Sequence, residues 1–536
     1  MPSSEERLAA EVTIRWAPFQ DALCDKRRPL RQFMTFGTTI RTILALFLLA
    51  TAPAQEPGIL TPPASPKPEI RGAKVYGARP GHPFLYAIPA TGARPVTFSA
   101  QGLPKGLKLE PRTGQITGVT PQKGEYAVTL RARNAQGSTE RKFRIIAGDQ
   151  LALTPPMGWS TWYNALTAIT DAGIRAQADA MVSSGLIQHG YAYVNIDDGW
   201  NIRPGSTDPI VGGPARDEKG NLRSNKNFPD MKALADYVHV KGLKIGIYIG
   251  PGPLTCAGFE ASYQHEEQDA RQFAAWGFDF LKYDLCSYQK SIQDAKDPEE
   301  YKKPYRLMGD ILRKLDRDFV YNLCEYGRGN VWEWGREVGG NFWRTGDDVG
   351  GGWANVERFG FGQAGMEKWA GPGGWNDPDN INIGYLAGRR GQAPAPTSLT
   401  HNEQYSWMSL WNLMAAPLVF GGDMTKLDDF TLNVLTNDEV VDVDQDTLGK
   451  QAAPVAKMGA IEIWAKDLEG GSKAVGLFNR GEQETDLTAR WSDLAIRGPQ
   501  VVRDLWRQKD IGRFDNEFAA KVGRHGVMLV KITPAR

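Results

Sequence analysis

Acidic residues recur in this chain directly after short apolar runs. Asp197-Asp198 follow Val194-Asn-Ile196, Asp284 follows Phe280-Leu-Lys-Tyr283, and Glu325 follows Cys324. Asp347-Asp348 follow Trp343-Arg-Thr-Gly346, and Asp377 and Asp379 close Trp375-Asn-Asp-Pro-Asp379. A single Asp at such a place serves as readily as a helix cap. Five acidic strand ends, interleaved with Lys282, Arg344 and aromatic rings, point instead to one polar site. The chemistry that uses many carboxylates and few cations is glycoside hydrolysis. One carboxylate attacks the sugar or activates water, and a second protonates the leaving oxygen. Further carboxylates accept hydrogen bonds from hydroxyls, and an aromatic ring forms a floor. The competing reading is an oxygen-liganded Mg²⁺ or Ca²⁺ site, against which Lys282 and Arg344 weigh by repelling a cation. His265-Glu-Glu lacks the zinc-protease spacing, and Gly250-Pro-Gly252 lacks the Gly-Lys-Ser/Thr of a phosphate loop.

The elements that must position these residues follow from hydrophobic patterning. Between 151 and 450, short apolar runs at 157–159, 193–196, 244–249, 278–283, 320–324, 342–345, 374–377 and 416–420 read as buried strands. Amphipathic stretches at 172–184, 231–240, 266–276 and 305–315 read as helices between them. Repeated strand–helix units imply parallel strands with right-handed crossovers, and eight in this length fit a (β/α)₈ barrel. A doubly wound open sheet is the runner-up, but no G-x-G-x-x-G follows the first strand. In a barrel the acidic strand ends all open on one face, where barrel active sites are built.

Outside the barrel the period changes to two. Residues 70–147 alternate as in Tyr126-Ala-Val-Thr-Leu-Arg-Ala132, with turns at Pro104-Lys-Gly106, Thr113-Gly114 and Gln136-Gly137. The segment predicts an immunoglobulin-like β module, acting as a spacer or a binding module. Residues 455–536 alternate again, in Ile461-Glu-Ile-Trp-Ala465 and Gly526-Val-Met-Leu-Val-Lys-Ile532, and predict a C-terminal antiparallel β-sandwich. Residues 55–69 form a Pro-rich linker. Ahead of it, Arg41, the apolar run Ile43-Leu-Ala-Leu-Phe-Leu-Leu-Ala50 and Ala52-Pro-Ala54 have the order of a signal peptide, with Met34 as the expected translation start and cleavage near Ala54. The run is too short to span a membrane, so the expected location is secreted or periplasmic. Of 536 residues, 41% are hydrophobic and 23% charged, an ordinary globular balance, and a net charge of +1 without a basic stripe excludes a nucleic-acid partner.

In order along the chain, a set of segments resembles glycoside hydrolase family 27, the α-galactosidases. They include Thr154-Pro-Pro-Met-Gly-Trp-Ser-Thr-Trp162, Asn195-Ile-Asp-Asp-Gly-Trp200, Gly246-Ile-Tyr248, Thr255-Cys-Ala-Gly258 and Leu281-Lys-Tyr-Asp-Leu-Cys286. Cys324-Glu325, Trp343-Arg-Thr-Gly-Asp-Asp-Val349, Gly373-Gly-Trp-Asn-Asp-Pro-Asp379, Val440-Val-Asp-Val-Asp-Gln-Asp446 and Gly476-Leu-Phe-Asn-Arg480 extend the likeness over 151–536. The 70–147 module falls outside it.

The resemblance implies a retaining hydrolase that releases terminal α-linked galactose from a galactose-containing saccharide, with no metal or other cofactor. It makes Asp284 the nucleophile and Asp348 the acid/base, with Asp347 an unusual neighbour for that role. A retaining pair stands about 5–5.5 Å apart. Lys282 is expected to help keep Asp284 ionised, and Asp348 must begin protonated. Asp197 and Asp198 match positions holding the 4- and 6-hydroxyls, Lys282 and Tyr248 line the same subsite, and Glu325 and Arg344 stand where the 2-hydroxyl is read. Trp162 is placed as the apolar floor, and Asp379 lines the pocket beside Asn380, where the family usually has Met. Cys256 and Cys286 match a family disulfide. Cys324 lacks its expected partner, since Gly339-Gly340-Asn341 occupies that segment, and is expected as a buried free thiol. The rivals on this scaffold are α-N-acetylgalactosaminidase, which needs small residues where Glu325 stands, and β-L-arabinopyranosidase, which alters the Asp197-Asp198 pair. Further off stand isomalto-dextran hydrolysis and a barrel that only binds carbohydrate.

Overall fold

The computed structural model describes residues 58–292, 296–388 and 392–535. The leader, the expected signal peptide and Cys24 lie outside the described residues.

All eight expected strands form. Met157–Ser160, Tyr193–Asn195, Lys244–Ile249, Phe280–Asp284, Val320–Cys324, Phe342–Arg344, Trp375–Asp377 and Leu418–Phe420 make one parallel sheet, ordered seventh through first and then eighth. The ring closes through Ile381, just beyond the seventh strand. Its N–H donates to the Val419 carbonyl at 2.8 Å and its own carbonyl accepts from Gly421 N–H at 3.0 Å.

Side chains alternate along each strand, and the alternation sorts each one to a layer. Ile245, Ile247, Leu281, Tyr283, Tyr321 and Leu323 pack outward in the main core. That core also takes Met231, Leu234, Ala235 and Val238, the helical stripe of Met231–Val240. Phe280, Val320, Phe342 and Trp375 point inward and plug the base of the barrel. Crowding there demands glycine at 246, where a Cβ would stand 2.1 Å from Asn195 Oδ1 and 2.6 Å from the Phe280 ring.

Local signals set the element ends. Asp230 caps Met231–Val240 by accepting from Ala233 N–H at 2.9 Å. Glu266–Trp276 carries Glu266, Glu267 and Asp269 in its first turn and stops at Gly277, φ +94°. Phe278 N–H is spent on the Phe273 carbonyl in that cap, so the fourth strand opens at Phe280 rather than at the expected 278. The helix expected at 305–315 starts earlier, at Pro298 beneath the Asp297 cap, and ends at Leu312.

The N-terminal module pairs a four-stranded and a three-stranded sheet around Phe84, Phe98, Ile116, Val128, Phe143 and Ile145. It is docked on the N-terminal face of the barrel, opposite the acidic strand ends. Arg79 reaches under the fifth strand, donating to the carbonyls of Leu312, Arg313 and Arg317 at 3.3, 3.0 and 2.6 Å and to Asp318 Oδ1 at 2.7 Å. His82 Nδ1 lies 2.8 Å from the same oxygen, Lys244 donates to the Tyr76 hydroxyl, and Arg71 pairs with Asp438 at 3.0 Å. Asp318→Ala strands the half-buried Arg79 and should lower stability by about 2 kcal/mol, read as a lower denaturant midpoint. Turnover should not change, because the opposite face is untouched. An unchanged midpoint would mean the docking contributes nothing.

The C-terminal domain is antiparallel throughout, a six-stranded sheet with a two-stranded partner. It shares Trp464, Phe478, Trp506 and Leu529 with the barrel core. The buried helix His401–Met414, opened by a Thr400–Glu403 capping box, lies between them. No helix among the described residues is long and apolar enough to cross a membrane.

Candidate active site

Register assembles the site. Asp284 pairs with Cys324 across the fourth and fifth strands, and Arg344 pairs with Asp377 across the sixth and seventh. All four point inward at the C-terminal rim. One period lower on the fourth strand, Lys282 faces the same interior. Asp197-Asp198, Glu325 and Asp379 sit just past their strands.

Lys282 Nζ bridges two carboxylates, 2.9 Å from Asp197 Oδ2 and 4.0 Å from Asp284 Oδ2. Its ring neighbour is Tyr248, with the ammonium 5.1 Å from the ring centre. Burial works to discharge Lys282, but Asp197, Cys324, Asp284 and Asp348 outweigh it and hold its pKa well above the usual lysine value. On the other wall, Arg344 lies 3.2 Å from Asp348 Oδ1, 3.3 Å from Asp379 Oδ2 and 3.7 Å from Cys324 Sγ. Asp379 sits in the left-handed region at φ +88°. Its Oδ2 accepts from Val349 N–H and from the Tyr163 hydroxyl, both at 2.8 Å, which ties the Asp348 loop to the seventh strand.

Asp198 and Glu325 stand among the same charges, Asp198 beside Asp197 and Asp284 and Glu325 beside Arg344 and Asp377. Asp198 accepts from Ala257 N–H at 2.8 Å, and its Oδ1 is buried with no hydrogen-bond partner. Burial pushes its carboxyl up to about 7. Glu325 Oε1 accepts from Gly327 N–H at 3.1 Å, while Oε2 is buried without a partner, and burial drives this carboxyl well above the usual range. Trp162 opens the short helix after the first strand, half-buried.

Cys256 and Cys286 form the expected disulfide, and the Tyr248 hydroxyl donates to Cys286 Sγ at 3.2 Å. Cys324 is free and buried. Among the described residues, Cys256, Asp284 and Cys286 alone have metal-ligand spacing, and both sulfurs are committed to the disulfide. Lys282 and Arg344 stand among the carboxylates of this rim.

Lys282 does favour ionised Asp284, yet burial outweighs it, and the Asp284 pKa is raised above the ordinary value. Tyr326 joins Lys282 in opposing burial, while Asp348 and Asp197 add to it. Tyr326 is a residue that sequence reasoning missed. Its hydroxyl donates to Asp284 Oδ1 at 2.6 Å. Asp377, a strand-end acid, also has a place in this network. It receives Asp379 N–H at 2.8 Å, and burial pushes it to about 6 against Arg344.

Carboxylates interleaved with half-buried Lys282 and buried Arg344 suit a neutral polyol. At the C-terminal face of an eight-stranded barrel, that arrangement is the site of a glycoside hydrolase. The comparisons narrow the class: the chain belongs to glycoside hydrolase family 27, the α-galactosidases, with the family model "Alpha galactosidase A" matching residues 154–446. The "Alpha galactosidase C-terminal beta sandwich domain" model matches 458–532, and an Ig-domain model matches 70–147. The chain is 36% identical to an α-galactosidase of Oryza sativa over 412 residues, 76% of this chain and 91% of that one. It is also 36% identical to α-galactosidase A of Cellvibrio japonicus, over 72% of this chain and 93% of that one. A crystal structure of a candidate α-galactosidase from Bacteroides fragilis superposes with a TM-score of 0.80 at 35% identity, covering 88% of this chain and 99% of the other.

Proposed function

We propose that this galactose-releasing glycoside hydrolase works by double displacement, with Asp284 as nucleophile and Asp348 as acid/base. The observation that carries this assignment is a contrast between two carboxylates. The Asp284 side chain is 5% exposed and held beside Lys282, whereas that of Asp348 is 39% exposed on Arg344. A nucleophile needs fixed geometry. An acid/base must hand a proton to the leaving oxygen and then take one from water. Asp284 attacks the anomeric carbon as the glycosidic C–O bond breaks, and the departing oxygen takes the proton of Asp348. Asp348 then deprotonates water, which displaces Asp284 from the ester and returns it as carboxylate. Asp197, Asp198, Glu325, Arg344, Tyr248, Lys282, Asp379 and Trp162 hold the terminal galactose, the carboxylates accepting hydrogen bonds from its hydroxyls. Glu325, large and charged, argues against a 2-acetamido group, and the paired Asp197 and Asp198 favour a sugar that carries its 6-hydroxyl.

The test is a panel of aryl glycosides: α-galactoside, β-L-arabinopyranoside and N-acetyl-α-galactosaminide. The α-galactoside should be turned over with the highest kcat/KM. Preference for either of the others would sink the roles given to Asp197, Asp198 and Glu325 while leaving the catalytic pair intact. The order of charge, apolar run and Ala52-Pro-Ala54 at the N-terminus supports export to the periplasm or medium, checked by the mature N-terminus of the recovered protein.

A further inference from the structure

We propose that Tyr326 is a positioning residue that selects which oxygen of Asp284 attacks; this rests on Asp284 being the nucleophile. Tyr326 directly follows Glu325 at the rim of the fifth strand and sits at φ +62°, with Gly327 next at φ +76°. A bulky aromatic in the left-handed region is held at a cost of about 1 kcal/mol. The bend swings the phenol back across the fourth strand. The hydroxyl then meets Asp284 Oδ1 at 2.6 Å, the short range of a hydrogen bond to a carboxylate.

The surroundings fix the ring. The Arg344 guanidinium lies 5.7 Å from the ring centre, and Cys256 Sγ lies 3.5 Å from the hydroxyl. Cys256 is bonded to Cys286, two residues beyond Asp284. Nucleophile loop and phenol are therefore held to each other from two sides. With Oδ1 committed to Tyr326, Oδ2 is the oxygen that faces Lys282, at 4.0 Å. Oδ2 forms the bond to the anomeric carbon, and Oδ1 becomes the ester carbonyl, still hydrogen-bonded to the phenol. The phenol keeps its proton throughout. Its bond is strongest when Asp284 carries a full negative charge, so it favours departure of the carboxylate in the second step and ionisation of Asp284 in the free enzyme.

Tyr326→Phe keeps the ring and removes the donor. On an activated aryl α-galactoside, whose ester hydrolysis limits turnover, kcat should fall about tenfold. KM should fall with it as the ester accumulates. The acidic limb of kcat/KM should move to higher pH, because a carboxylate deprived of a donor is harder to ionise. A merely structural role would lower the melting temperature and kcat without moving that limb, and would overturn the proposal, as would an unchanged profile. A fluorinated, activated α-galactoside that forms a slowly hydrolysed ester separates the two assignments. Wild type labelled at Asp284, with Tyr326→Phe kinetically normal, rejects Tyr326 alone. Label on another residue rejects Asp284 as nucleophile and Tyr326 with it.

Discussion

Asp284→Asn should abolish α-galactoside hydrolysis, lowering kcat/KM by roughly 10⁴-fold or more, the scale on which loss of one member of a catalytic unit acts. The variant keeps the shape of the side chain and a carbonyl acceptor for Tyr326, and Lys282 keeps its 2.9 Å bond to Asp197. Stability should therefore hold, since a raised pKa means that burial already disfavours the ionised carboxylate. The carboxamide cannot form a glycosyl ester that water hydrolyses. Asp284→Gly sharpens the test by opening space for a small anion. Azide should then restore turnover and yield the β-galactosyl azide, because it enters from the face the carboxylate left. Residual activity in Asp284→Asn above about 1% of wild type, or rescue that gives the α-azide, would remove Asp284 from the nucleophile position. The wild-type pH profile carries a linked expectation. If Asp284 acts as the carboxylate, as proposed, kcat/KM should rise with pH through its raised pKa.

How far this site could be read from sequence depends on which interactions are local. The barrel strands were legible as short apolar runs, five of the eight ending in an acid, and period-two alternation alone puts Lys282 and Asp284 on one face. The disulfide followed from family likeness, since nothing local in the Thr255-Cys-Ala-Gly258 segment names a partner thirty residues on. Tyr326 was not legible. Beside Cys324-Glu325 a tyrosine reads as rim packing, and its role depends on a left-handed bend and on the Asp284–Cys324 register, neither of which has a sequence signature. The burial of Asp284 was not legible for a related reason. The charge on Lys282 is visible in sequence, but the desolvation of Asp284 arises from the layers closing around it.

The N-terminal module shows the same limit. Alternation and turns revealed its strands, but left it either a spacer or a binding module. Arg79 and Asp318 are ion-pair partners separated by 239 residues, and nothing near either one announces the other. The contact gives the module a fixed seat under the barrel, away from the sugar pocket. That position favours a structural role over a part in gripping the galactose.

The second large effect decides between adjacent acids. Asp347 pairs with the exposed Arg358 at 2.9 Å, while Asp348 pairs with Arg344, which is buried in the pocket wall. Neighbouring residues on an extended loop point different ways, and only Asp348 is linked through Arg344 to Asp379, whose Oδ2 also holds Val349 N–H at 2.8 Å. Asp348→Asn should lower hydrolysis of a galactosyl saccharide by about 10²–10⁴-fold, the range of general acid catalysis, because a sugar alkoxide departs poorly without a proton. An aryl galactoside with an acidic phenol needs no proton to leave, so its first step should be nearly spared, visible as a burst of phenol followed by slow turnover. The alkaline limb of the saccharide profile should flatten in this variant, since the acid whose deprotonation produces it is gone. Asp347→Asn should change neither rate by more than about threefold, as for a surface ion pair. If the leaving-group dependence appears in Asp347→Asn instead, the proton donor is Asp347, and Asp348 serves only to hold Arg344.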